Sequence, residues 1–135
     1  MATETKQRYI EAVGRRKTAI ARVRITPSTK ASFTINDKEV KDYFSTEDLQ
    51  VIAQEAISKS EVGEKFTVTV HVLGGGIHAQ AEAVRHGLSP TLVLRDENIK
   101  NTLKKLGFLK RDSRQVERKK FGLKKARKAP TWSKR

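Results

Sequence analysis

The stretch 66-FTVTVHVLGGGIHAQAEAVRHGL-88 decides between two architectures. In its first half Phe66, Val68, Val70 and Val72 alternate with Lys65, Thr67, Thr69 and His71, the period of a half-buried strand. In its second half Ile77, Ala81, Val84 and Leu88 recur at helical steps, which predicts a helix from the glycines until Pro90 disturbs it. Between the two, Gly74-Gly75-Gly76-Ile77-His78-Ala79 fits the G-x-G-x-x-G/A fingerprint of a dinucleotide site, with Asp96 placed twenty residues after Gly76. That fingerprint belongs to the first strand of a long parallel sheet. Only 59 residues follow Gly76, more than half of them in a cationic terminal stretch, so the remaining strands have no room. The reading that fits the length is a phosphate-backbone site of the same physical kind, bare amides at a helix N-terminus.

Working outward, Ala19, Ala21, Val23 and Ile25 alternate with Thr18, Ile20, Arg22 and Arg24, and "YIEAV" (9–13) precedes them. This predicts a β-hairpin across Gly14-Arg15-Arg16-Lys17, a turn with three adjacent cations in which Gly14 permits positive φ. Pro27 ends the second strand, and "SFTIN" (32–36) reads as a short third one before a turn at Asn36-Asp37. Ser45 can cap a helix in which Leu49, Ile52, Ala53, Ala56 and Ile57 recur, with Glu47 and Asp48 in its first turn. A last helix opens at Asp96, buries Ile99, Leu103 and Leu106, and stops at Gly107, with Phe108 folding back on Leu103. Beyond it Val116, Phe121, Leu123 and Trp132 stand isolated among cations, too sparse to form a core.

The charge is concentrated in the same place. Of 29 Lys and Arg in the 135 residues, fourteen lie from Lys104 onward, opposed only by Asp112 and Glu117; the first 103 residues hold fifteen against thirteen acids. Such a run repels itself unless a polyanion neutralises it. Arg can bridge phosphate and stack on bases, while Phe121 and Trp132 offer flat surfaces, a mixture suited to RNA. A membrane-binding segment needs an apolar face, and 109–128 shows none at helical spacing. No Cys is present, "MATETKQRY" lacks an apolar run, and no window approaches 18 apolar residues, so the expectation is a soluble, unexported protein of one domain plus an extension. His71, His78 and His86 lack metal-ligand spacing, and no nucleophile setting is recognisable; Glu117 in "RQVERKK" reads as a partner of its neighbouring cations. Neither an enzyme, a cofactor nor a metal site is expected.

Four separated motifs, "GRRKTAIARV" (14–23), "GGGIHAQAEAVRHGL" (74–88), "LKRDSRQVERKKFGLKKARK" (109–128) and the terminal "SKR" (133–135), resemble the universal ninth protein of the small ribosomal subunit, bacterial or organellar type. The resemblance implies a single small α+β domain like the second domain of the fifth small-subunit protein, with a long basic C-terminal extension. It divides the chain into a flexible N-terminus (1–8), an RNA-binding body (9–108) and an RNA-threading tail (109–135). It implies binding to the 3′ major (head) domain of small-subunit ribosomal RNA, beside other proteins of the head, in cytoplasmic ribosomes or those of an organelle's matrix or stroma. By the same resemblance Arg15, Arg16 and Lys17 match hairpin-turn RNA contacts, and Gly74, Gly75, Gly76 and Gln80 match a glycine-rich RNA-facing turn, with Arg85 beyond it. Arg111, Arg114, Arg118, Lys119, Lys120, Lys124, Lys125, Arg127 and Lys128 match the threading segment, and Lys134 and Arg135 the pair that approaches the anticodon stem-loop of peptidyl-site transfer RNA. Three positions depart from the family pattern near the glycine turn: Ala79 and Glu82 stand where glycine is usual, and Pro90 where a basic residue is. Trp132 replaces the commoner Phe.

Overall fold

The computed structural model describes residues 8–134; the expectation for the first seven residues and the role given to Arg135 lie outside them. The chain runs β1 (Ile10–Arg16), β2 (Ala19–Pro27), β3 (Ser32–Ile35), β4 (Lys38–Glu39), α1 (Val40–Tyr43), α2 (Glu47–Ser60), β5 (Phe66–Leu73), α3 (Ile77–Arg95), a 3-10 turn (Glu97–Ile99) and α4 (Lys100–Leu106). The strands form one sheet in the order β1-β2-β5-β3-β4, antiparallel except for the parallel pair β3 and β5. A parallel pair needs a crossover, and α2 lies within it. The architecture is α+β, without the parallel sheet of a dinucleotide fold.

Strand alternation sends Ala19, Ala21, Val23 and Ile25 of β2 and Phe66, Val68, Val70 and Val72 of β5 into one core. Helix α3 covers β1 and β2, and α2 packs beside α3 through Leu49, Ala53 and Ala56. The approach of α3 to β1 is closer than ordinary side chains allow. A Cβ on Gly14 would lie 2.0 Å from the Ala83 carbonyl oxygen and 2.2 Å from the Gly87 nitrogen, and one on Gly87 would meet Gly14 at 2.8 Å. Gly14 is therefore not a turn residue, as the sequence predicts, but a mid-strand residue opposite Ala21 that makes room for a helix. The turn lies at Lys17-Thr18, with Lys17 itself at φ 52°.

Other expectations shift for physical reasons. α3 passes through Pro90 because Leu88, Ser89, Thr91 and Leu92 are all buried around it, and the Ser89 hydroxyl donates to the Arg85 carbonyl oxygen at 2.9 Å in the turn before it. Burying those side chains outweighs the lost helix bond, about 3 kcal/mol. The cap position of α2 is Thr46 rather than Ser45, and no side chain closes it. Asn36 and Asp37 both take positive φ, as in a type I′ hairpin, and lead into the two-residue β4 and the one-turn α1, neither of which the sequence pattern reveals. Asp96 accepts from the Asn98 amide at 3.0 Å at the head of the 3-10 turn, Leu106 is exposed rather than buried, and Gly107 closes α4 at φ 79° while the Phe108 amide donates to the Leu103 carbonyl. From 109 to 134 there is neither helix nor strand, and Val116, Phe121 and Trp132 are exposed.

Candidate nucleic-acid interface

The hairpin turn and the glycine turn meet at one end of the sheet, since Ile20 pairs with Leu73 immediately before Gly74. Gly74 and Gly75 adopt left-handed φ of 74° and 65° and press against the hairpin: added Cβ atoms would stand 2.8 Å from the Thr18 carbonyl oxygen and 2.9 Å from the Ala19 methyl. Gly76 then caps α3, whose first turn carries no acid. Arg15, Lys17, Gly74, Gly75 and Gly76 thus share an exposed rim where a helix N-terminus presents its amides, a setting suited to phosphate. Gln80 braces this rim from behind. Its Nε2 donates to the Gly74 carbonyl at 2.9 Å and its Oε1 accepts from the Tyr43 hydroxyl at 2.7 Å, while Asn36 exchanges two hydrogen bonds with the Val72 backbone.

Two of the predicted RNA contacts turn inward. The Arg16 side chain is only 12% exposed; its Nε donates to Glu82, its NH1 to the Arg114 carbonyl oxygen, and Asp112 lies 3.6 Å from its NH2. Glu82 also faces His78 at 3.6 Å. Asp112 accepts in turn from the Arg114 side chain at 2.8 Å, and these hydrogen bonds hold its carboxyl well below the usual carboxylate range. Arg16 therefore clasps the first residues of the C-terminal segment to the hairpin. Arg85 is likewise occupied: it donates to Glu55 at 2.8 Å and lies 5.0 Å over the Phe108 ring. Burial alone would raise the Glu55 pKa, but hydrogen bonds from Lys59 and Arg85 bring it below its ordinary value.

His86 joins the same contact. Its Nδ1 accepts from the Arg15 amide at 3.1 Å, which requires that nitrogen to be unprotonated. Burial pushes its pKa down, the Leu109 backbone opposes, and Arg111 and Arg85 add to the lowering. A depressed folded-state pKa means that the contribution is complete above the unfolded value, about 6.5, and is lost as pH falls. Protection of the Arg15 amide, corrected for the intrinsic slowing of exchange with acid, should therefore fall between about pH 7 and pH 5, and His86→Gln should flatten that dependence.

The remaining predicted cations lie on the C-terminal segment. Glu117 bonds Arg127 at 2.6 Å and Lys120 at 3.3 Å, and these bonds lower its pKa. Among the described residues, Arg111, Arg118, Lys119, Lys124, Lys125 and Lys128 make no ion pair and are exposed, as Lys134 is. Sequence reasoning missed the bracing by Tyr43 and Asn36 and the clasp formed by Glu82, because each joins residues far apart in the chain. No local pattern signals them. Also among the described residues, no helix is long and apolar enough to cross a membrane, and no His, Asp and Glu cluster is placed to hold a metal ion. A sequence model of the family described as ribosomal protein S9/S16 matches residues 14–135, taking in the hairpin turn, the glycine turn and the whole basic segment.

Proposed function

Because the chain belongs to the ribosomal protein S9/S16 family, making it a structural component of the small ribosomal subunit beside ribosomal RNA and neighbouring proteins, we propose that it is the ninth protein of that subunit, of bacterial or organellar type. In this reading the body, residues 9–108, seats the rim of Arg15, Lys17 and the glycine turn on RNA of the subunit head. Residues 109–135 form an extension that runs between RNA helices toward the peptidyl site. The observation that carries the reading is the row of exposed cations after Lys110 that no carboxylate of the described chain neutralises. Ribosomal RNA supplies the missing charge. The untagged protein should co-sediment with small subunits in high-salt sucrose gradients; recovery only at the top of the gradient would refute the assignment.

The rim and the clasp have different expected signatures. Each neutralised phosphate contributes about 0.7 to 0.9 to the log–log salt slope. Replacing Arg15 and Lys17 together with Ala should flatten the slope by between about one and two units. Arg16→Ala should leave it nearly unchanged, since that guanidinium is already committed to Glu82 and Asp112.

Removing Ser133 to Arg135 takes away only two of fourteen cations and none of the core, so assembly into the subunit should proceed normally. Transfer RNA at the peptidyl site should then be held more weakly, by at most about 1.5 to 3 kcal/mol per lost charge-assisted contact. Filter-binding of transfer RNA to purified mutant subunits measures this, and normal retention at full stoichiometry would remove the role of the terminal pair.

A further inference from the structure

Every described helix lies on one side of the sheet, and the core occupies that side alone. The opposite face of β1, β2 and β5 carries three cross-strand rows set by the register: Arg15–Ile20–Leu73, Val13–Arg22–His71 and Glu11–Arg24–Thr69. Val13, Ile20 and Leu73 are 45%, 46% and 75% exposed, so no described element covers them. Three guanidinium groups stand among them against a single carboxylate, Glu11, which bridges Arg22 at 3.2 Å and Arg24 at 3.0 Å. The Arg24 guanidinium also lies 4.5 Å from the centre of the Tyr9 ring.

We propose that this open sheet face is a second RNA-binding surface, adjoining the glycine rim at Arg15 and extending beyond it through Arg22 and Arg24, and that it takes an unpaired or looped stretch of ribosomal RNA. The proposal rests on the ribosomal reading above and goes beyond it. Adjacent strands stand about 4.8 Å apart and alternate residues along a strand about 7 Å, so cations and apolar side chains interleave across the patch. Duplex RNA offers phosphates and sugars but hides its base faces, which would leave Val13, Ile20 and Leu73 without a partner. An unstacked strand offers both: phosphates to Arg15, Arg22 and Arg24, and base faces to the apolar side chains and to Tyr9. The surplus of positive charge favours this occupant over a neighbouring protein, whose buried interface centre would exclude charge. Glu11 is the internal counter-ion that RNA must displace.

Glu11 supplies a test with opposite signs. With deproteinised small-subunit RNA as probe, Glu11→Gln frees Arg22 and Arg24 and should tighten binding while steepening the salt slope by about one unit or more. Arg22→Ala with Arg24→Ala should weaken binding and flatten the slope by about one to two units. A purely structural ion-pair cluster would weaken binding in both variants, or change it in neither, and either result overturns the proposal. Placing p-benzoylphenylalanine at Leu73 of the full chain in reconstituted subunits gives a second measurement. A cross-link to RNA is expected; a cross-link to protein, or none, overturns the proposal. The same photoprobe at the fully exposed Phe121 separates the two levels. RNA cross-linking there without any at Leu73 leaves the ribosomal reading standing and removes the sheet-face site; silence at both positions, with no incorporation, removes both.

Discussion

Gly14→Ala is expected to abolish the native packing of α3 on the sheet. The added methyl would sit 2.0 Å from the Ala83 carbonyl oxygen and 2.6 Å from the Gly87 Cα, and both obstacles are backbone. Overpacking a core where side chains can shift costs about 1 to 3 kcal/mol. Here the helix itself must lift from β1, carrying Val84 and Leu88 away from Val23, so the loss should exceed about 3 kcal/mol of a total near 5 to 15. Denaturant titration of the purified variant measures it, with Gly63→Ala as the control, since nothing lies within 4 Å of a Cβ there. Equal midpoints for Gly14→Ala and the parent chain would show that the helix stands farther from the strand than described.

Deleting residues 115–135 should abolish most RNA affinity while leaving the body folded. The deletion removes nine Lys and Arg with one Glu, yet none of the core residues, and it spares Arg16, Glu82, Asp112 and Arg114. A protein holding six to ten phosphates loses about 10³- to 10⁵-fold in affinity between 50 and 200 mM salt. A chain left with Arg15 and Lys17 of the rim and Arg22 and Arg24 of the sheet face should lose only about 10²-fold over the same interval, by the same counterion relation. Filter-binding across that range, beside unchanged thermal unfolding, is the measurement. A slope as steep as that of the full chain would move the charge-driven contacts into the body.

The strands were legible where one face is buried and the other wet. Val23 and Val70 announce themselves because Arg22 and His71 beside them must face outward, and the same contrast marks Leu49 and Ala53 in α2. Gly14 was misread because glycine serves two ends, freedom of φ and absence of volume, and only the position of Ala83 and Gly87 tells which is in use. Pro90 misled for a similar reason: its local penalty is visible in the chain, while the burial of Leu88 and Leu92 that offsets it is a tertiary fact. The cations divide along the same line. Whether an arginine meets solvent or a carboxylate depends on partners such as Glu82, 66 residues from Arg16, and Glu55, 30 residues from Arg85. Glu82 is an anion beside an expected phosphate surface when read in sequence; in the fold it answers a cation of the same chain.

During synthesis the hairpin of β1 and β2 leaves the ribosome before anything that can cover it. Its free edge waits for β5, and its inner face waits for α3, so Ala21, Val23 and Ile25 stay wet until the chain has grown past Leu88. Vectorial folding is therefore impossible for the first half of this body; an unpaired strand edge must instead be shielded while it waits. Closure comes late and in one step, when α3 seats Gly87 on Gly14 and Phe108 folds back on Leu103. A chain ending at Lys110 and released from the ribosome would have its whole core and little of its charge.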